Sequence, residues 1–121
     1  MNIKRRLPKL FQYLLGAAVL ISQCFAINTA MAAEASKTAQ VNISDFEYSP
    51  ATVTIPVGGT VTWTNHDTAS HTVTSNDKII QSNTLAPGAS YSHTFTKIGT
   101  YNYFCSIHPT MKGEIIVQKA S

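Results

Sequence analysis

Residues 101–113 read YNYFCSIHPTMKG and place three kinds of metal-binding side chain in one short stretch. Aromatic residues fill three of the four positions before Cys105, which predicts a strand that ends at this thiol. Pro109 marks a turn after the strand, and His108 and Met111 lie in that turn. A thiolate, an imidazole and a thioether therefore lie within seven residues, a spacing that indicates a transition-metal site.

A second imidazole lies upstream at His71, which opens a predicted strand at residues 71–74. Two imidazoles, one thiolate and a weak axial thioether are the donor set of sites in which copper cycles between Cu(I) and Cu(II). The thiolate and the thioether favour Cu(I), whereas imidazole suits both oxidation states. The sequence therefore predicts one copper ion, with these candidate ligands: His71, Cys105, His108 and Met111.

The same residues allow other interpretations. Structural zinc sites generally use more cysteine or histidine than this set contains. A Cys/His nucleophile would need an orienting third group and a substrate cleft. A dinuclear copper site would need a second cysteine. In the remaining alternative the protein is a metal-free adhesive β-sandwich, and Cys105 is a passive core thiol.

Alternation with period two dominates the chain after residue 40, and β-branched and aromatic residues fill the apolar positions. No stretch there has a convincing helical period. The predicted strands lie at residues 41–44, 52–55, 60–64, 71–74, 90–96, 100–105 and 113–118. Short strands at this close spacing predict an all-β antiparallel sandwich or barrel with a single core, in which Trp63 is buried.

Residues 1–33 have a different composition. A positive stretch at residues 4–9 precedes an apolar core at residues 14–21, and Ala30-Met31-Ala32 supplies small residues before a cleavage point. This order is typical of a secretory signal peptide, and an uncleaved membrane anchor is the alternative. We expect a cleaved signal at residues 1–32, a lead-in at 33–39 and one domain at 40–121. The mature protein would be periplasmic, with no stable membrane association.

Cleavage would change the charge of the protein and its cysteine content. Four of the nine basic residues precede residue 10, so the formal charge would fall from +3 to −1. The basic residues left form no cluster that could bind phosphates, which excludes nucleic acid as a partner. Cys24 would leave with the signal, so Cys105 would have no partner for an internal disulfide, and metal binding is one use for such a thiol.

The segment 101–113 resembles the ligand loop of the cupredoxins, the type 1 (blue) copper proteins. Its Cys-x2-His-x2-Met spacing is similar to that of amicyanins, and plastocyanins resemble it with longer loops. The stretches 61–65 and 71–73 are also similar to this family, as are Phe46, Pro50 and Gly58-Gly59. The resemblance spans residues 40–118 and implies a Greek-key β-sandwich of about eight strands. It also implies three equatorial copper ligands, His71, Cys105 and His108, and one axial ligand, Met111.

The resemblance implies a single-electron carrier that exchanges electrons through the exposed edge of His108. Its redox partners would dock briefly, and the carrier would be a monomer. Likeness to amicyanins implies an amine dehydrogenase and a c-type cytochrome as partners, although loop length alone does not identify a partner. The alternative function is a copper-binding module for copper buffering or delivery. An enzyme is disfavoured, because four protein ligands leave no open position for substrate.

Two residues differ from the commonest family pattern. Thr72 stands where an asparagine often connects the two ligand loops. We expect its N–H to donate to the Cys105 sulfur and its hydroxyl to replace part of the asparagine amide. Ile107 stands where proline is common, and it has the N–H that proline lacks. We expect this N–H to donate a second hydrogen bond to the sulfur.

Overall fold

The computed structural model describes residues 36–121, which form two β-sheets. The strands in this part of the chain are β1 (Thr38–Ser44), β2 (Glu47–Ser49), β3 (Thr52–Pro56), β4 (Thr60–Asn65), β5 (Ser90–Thr94), β6 (Gly99–Phe104) and β7 (Lys112–Gln118). The predicted signal peptide and the start of the predicted lead-in lie outside the described residues. Within residues 36–121, no helix could cross a membrane.

The two sheets have the strand orders β2-β1-β4-β5 and β3-β7-β6. The chain changes sheets between β2 and β3, between β3 and β4, and between β5 and β6. Because of these crossings, β1 pairs with β4 in parallel and β3 pairs with β7 in parallel, while the other pairs are antiparallel. The predicted all-β sandwich is confirmed, although it is not antiparallel throughout.

Apolar and polar residues alternate along the strands, so one face of each sheet is apolar and packs into a common core. In β4 the inward residues Val61 and Trp63 are completely buried, and in β7 Ile115 is completely and Val117 almost completely buried. Burying each side chain of this kind contributes roughly 1.5–3 kcal/mol. Trp63 packs edge-on against Tyr103 from the opposite sheet, with 5.3 Å between ring centroids, so the predicted core role of Trp63 is confirmed.

The outward face of β4 and β5 carries hydroxyl groups in register. Three cross-strand pairs have their hydroxyl oxygens 2.7–2.8 Å apart: Thr60 with Thr94, Thr62 with Ser92, and Thr64 with Ser90. Because each hydroxyl finds its partner across the strand pair, this face is polar without being charged.

The predicted strand at residues 71–74 is wrong. His71 and Thr74 make only isolated bridges, to Leu85 and to Gln81 and Phe104, respectively. The two amides between them bond to side chains instead of a neighbouring strand. The Thr72 N–H donates to the sulfur of Cys105, and the Val73 N–H donates to a serine hydroxyl. These two amides donate to side chains and cannot pair with a neighbouring strand, so no continuous strand forms at residues 71–74.

Gly113 allows β6 and β7 to pack around a large aromatic side chain. It pairs with Tyr103 in the register of the two strands, and a Cβ atom at this position would overlap the Tyr103 ring. The ring is buried with an exposure of 2%, so it has little room to move aside.

We expect Gly113→Ala to lower the free energy of unfolding by about 1–3 kcal/mol, because overpacking a core ring costs this much. Gln118→Ala is the control, at an exposed position on the same strand, and should change stability by less than about 0.5 kcal/mol. Urea unfolding of both variants measures the difference. Equal stabilities would show that the Tyr103 ring adapts without strain.

Candidate metal centre

The candidate ligands lie together at one end of the sandwich. Cys105 follows the last residue of β6, and His108 and Met111 occupy the turn that leads into β7. The Cys105 N–H donates to the Met111 carbonyl at 3.1 Å, and the Met111 N–H donates to the His108 carbonyl at 2.9 Å. These two hydrogen bonds are both internal to the turn. The pairing of β6 with β7 also fixes the turn at both of its ends.

Three candidate ligand atoms, two from this turn and one from His71, converge here. The Cys105 sulfur is 3.7 Å from His71 Nδ1 and 3.9 Å from His108 Nδ1, and all three atoms lie within 4.8 Å of one another. Cys105 and His71 are inaccessible, Met111 is 4% exposed, and His108 is partly exposed. The structure therefore brings together two imidazole nitrogens and a sulfur, with the thioether-bearing Met111 in the same turn.

The environment of Cys105 favours the thiolate, which is the form that binds metals. Burial raises the pKa of this thiol, but hydrogen-bond donors at the sulfur, among them the Thr72 N–H, lower it to about 6. A soft thiolate beside two imidazole nitrogens fits a copper ion. The expected bond from Ile107 is absent among the described residues, where the polar neighbours of the sulfur are the Thr72 N–H and the two imidazole Nδ1 atoms.

Thr72 connects the two ligand segments, as the sequence predicts. Its N–H donates to the Cys105 sulfur at 3.3 Å. Its hydroxyl accepts the N–H of Ser106 at 2.8 Å and also bonds to the hydroxyls of Ser106 and Thr74. One threonine thus holds the residue before it, His71, against the residues that follow β6.

The fold and the donor set agree with the comparison to known protein families. A family model described as a cupredoxin-like domain matches residues 16–117. The chain belongs to the cupredoxin family. This match confirms the resemblance and, with the donor set above, the predicted copper cofactor. The assignment of four individual ligands stays a prediction.

Several known cupredoxins are similar to this one. Amicyanin of Paracoccus denitrificans is 32% identical over 83 residues, which are 64% of this chain and 63% of that protein. Plastocyanin of Scenedesmus fuscus is 38% identical over 84 residues, covering 59% of this chain and 86% of that protein. The structure of a purple cupredoxin from Nitrosopumilus maritimus is 36% identical with a TM-score of 0.63, covering 66% of this chain and 99% of that one. This chain thus spans less than two thirds of the amicyanin.

Sequence reasoning missed two residues that surround the imidazoles of this cupredoxin. The Phe46 ring lies edge-on to both, with centroids 5.2 Å from His71 and 5.0 Å from His108. Asp67 Oδ2 accepts a hydrogen bond from His71 Nε2 at 2.8 Å. Burial raises the pKa of this carboxyl, but hydrogen bonds from Phe46, Asp45 and His71 lower it below its usual value. The sequence signals were weak: Phe46 was noted only as part of the family resemblance, and Asp67 was visible only as an acid four residues before a candidate ligand.

The other two histidines do not join the site. The His66 ring lies 3.0 Å from the side-chain oxygen of Asn42 on the exposed sheet face. His93 packs edge-on against Phe95, with 4.6 Å between ring centroids. His66 directly follows β4 and His93 lies within β5, so these two histidines are ordinary turn and strand residues.

We expect Thr72→Val to release the turn after β6 while preserving the shape of the side chain. The Ser106 N–H loses its acceptor, so its amide hydrogen should exchange with solvent at least tenfold faster, and the metal-free protein should lose about 1 kcal/mol of stability. The control is Thr62→Val on the outward sheet face, which should leave Ser106 protected. Hydrogen exchange measured by NMR decides the question; unchanged protection in Thr72→Val would contradict the role of the hydroxyl.

Proposed function

We propose that this cupredoxin is a single-electron carrier with one copper ion. His71, Cys105, His108 and Met111 would hold this ion. The observation that carries the proposal is the convergence of the two Nδ1 atoms and the sulfur within 4.8 Å. When bound, the copper supplies a redox couple that accepts one electron and gives it up again.

The residues of the chain keep the site dry and rigid. His71, Cys105 and Met111 are buried, and the turn from 105 to 111 is closed by its own backbone hydrogen bonds. Ligands that are already fixed need little rearrangement when the charge of the site changes. Four side-chain ligands also leave no open position for a substrate, which supports a carrier rather than an enzyme.

Electrons would enter and leave through His108, the one candidate ligand with a distinctly accessible edge. An apolar rim, defined as Phe46, Ile107 and Pro109, surrounds it. Phe46 is 50% exposed and Ile107 is 46% exposed, which is unusual for large apolar side chains. A small apolar rim suits the brief docking of redox proteins. By analogy with amicyanin, the partners would be a dehydrogenase and a c-type cytochrome, and the carrier would act as a monomer.

The proposed location is the periplasm. The positive stretch, apolar core and small residues in the first 32 positions support a cleaved signal peptide. The lead-in at 33–39 and the domain at 40–121 would then form the mature carrier, without a stable membrane association. The structure starts its first strand at Thr38, two residues before the proposed domain boundary.

We expect the purified protein to develop an intense visible thiolate-to-copper absorption with one equivalent of Cu(II). Ascorbate should bleach this absorption, and reoxidation should restore it. Cys105→Ser should abolish it, because serine lacks the sulfur donor. Cys24→Ser, in a chain that keeps its first 32 residues, is the matched control and should leave it unchanged. Copper that passes to a mild chelator without any such absorption would contradict the carrier and favour copper buffering or delivery.

The apolar rim predicts a second result. Ile107→Glu should slow electron transfer to a soluble c-type cytochrome about tenfold, because a charge placed in a docking centre costs more than 1 kcal/mol. Ile98→Glu adds the same charge at a 62% exposed position just before β6, at the end opposite Cys105. It should leave the rate within twofold. Stopped-flow kinetics measures both, with the visible spectrum as the check on the site; equal rates would argue against docking at the rim.

A further inference from the structure

The Asp67 carboxylate accepts three hydrogen bonds from two separate parts of the chain. Its Oδ1 accepts the N–H of Asp45 at 2.7 Å, and its Oδ2 accepts the N–H of Phe46 at 3.0 Å and the Nε2–H of His71 at 2.8 Å. The Asp67 side chain is only 11% exposed. The Asp67 N–H in turn donates to the Asn65 side chain at 2.9 Å, which holds the loop in place.

The bond to His71 determines which ring nitrogen carries the proton. An ionised carboxylate only accepts hydrogen bonds, so the neutral imidazole must carry its proton on Nε2. Nδ1 then has a free lone pair, and this is the atom that lies 3.7 Å from the Cys105 sulfur. The carboxylate therefore presents the correct nitrogen to the metal before any metal arrives.

The same carboxylate holds the turn between β1 and β2. Asp45 and Phe46 have φ angles of 54° and 61°, in the left-handed region that costs energy for residues other than glycine. Their two N–H groups point to Asp67, which offsets part of that cost. In this conformation the Phe46 ring lies beside His71 and His108.

We propose that Asp67 is a positioning residue of the copper site. It fixes the ring and the tautomer of His71, and it holds Phe46 beside both imidazoles. The inference rests on the proposed function in one respect, which is that His71 is a copper ligand. Its geometric part concerns the metal-free protein and can be tested without copper.

Asp67→Asn is a sharp test because it preserves the shape of the side chain. An amide has one oxygen, so its NH2 group must face at least one of the three donors. If it replaces Oδ2, the His71 ring must rotate or move its proton to Nδ1, which blocks the atom that binds metal. Asp45→Asn is the matched control. It removes the same charge from an exposed neighbouring side chain, keeps the Asp45 N–H, and suits the left-handed conformation.

The first measurement uses NMR of the metal-free protein, with long-range ¹H–¹⁵N correlations for the His71 ring. The wild type and Asp45→Asn should both show a protected Nε2 proton. In Asp67→Asn this proton should exchange at least tenfold faster, or the tautomer should change. A wild-type ring with an unprotected Nε2, or with its proton on Nδ1, would overturn the proposal even if Asp67→Asn does not fold.

The second measurement is the affinity for Cu(I), in competition with a chromophoric chelator. Loss of an outer-shell partner of a metal-binding histidine typically weakens affinity 10- to 100-fold, so we expect a loss of this size for Asp67→Asn and less than twofold for Asp45→Asn. Equal affinities for the two variants would overturn the proposal. A wild-type protein that binds no copper would instead contradict the proposed function, and the ring-proton result would still decide the role of Asp67.

Discussion

The candidate copper site depends on the contact between the two segments that carry its candidate ligands, and the hydrogen bond at the centre of this contact runs from the Thr72 amide to the Cys105 sulfur. His71 follows a strand of the four-stranded sheet, whereas Cys105 follows a strand of the three-stranded sheet. The two sheets share a core, and near the site the backbones of these two segments pair only at the bridge between Thr74 and Phe104. The amide–sulfur bond extends this connection to the candidate ligands, and the Thr72 hydroxyl reinforces it through Ser106.

That bond also explains why this end of the sandwich is irregular. Thr72 and Val73 direct their amides to a sulfur and a hydroxyl, so they cannot also form a ladder. Tyr48 donates its hydroxyl hydrogen to the Thr72 carbonyl at 2.6 Å, which satisfies the other polar group of this residue. The backbone groups of Thr72 are therefore satisfied inside the protein, as buried polar groups require, and the segment is held without being a strand.

Sequence reasoning succeeded where the controlling interactions are local. Alternation predicts six of the strands, because one buried face per strand leaves a period of two in the sequence. The spacing of Cys105, His108 and Met111 is visible because all three occupy one turn. The three-residue strand β2 is too short to leave a pattern. Asp67 was not recognised, because an acid four positions before His71 in a loop forms no pattern and its other contacts are 21 and 22 positions away.

Site residues that lie far apart in the sequence could be identified only from the family resemblance or from the structure. His71 is 34 positions from Cys105, and its role was inferred from the family pattern around it. The Ile107 amide was expected to reach the sulfur, but in the described part of the chain the Thr72 amide donates to it and the Ile107 amide does not. Backbone direction within a turn depends on dihedral angles that residue types alone do not determine.

The limited extent of the rim has a consequence for the lifetime of a complex. Phe46 and Ile107 are each only about half exposed, so the apolar area available to a partner is a fraction of two side chains and a proline. Among related complexes, affinity is set mainly by the dissociation rate. A small contact therefore implies a short residence time, and a carrier must leave one protein before it can reach the next. A broader apolar surface would hold a partner longer and reduce the number of electrons carried per second.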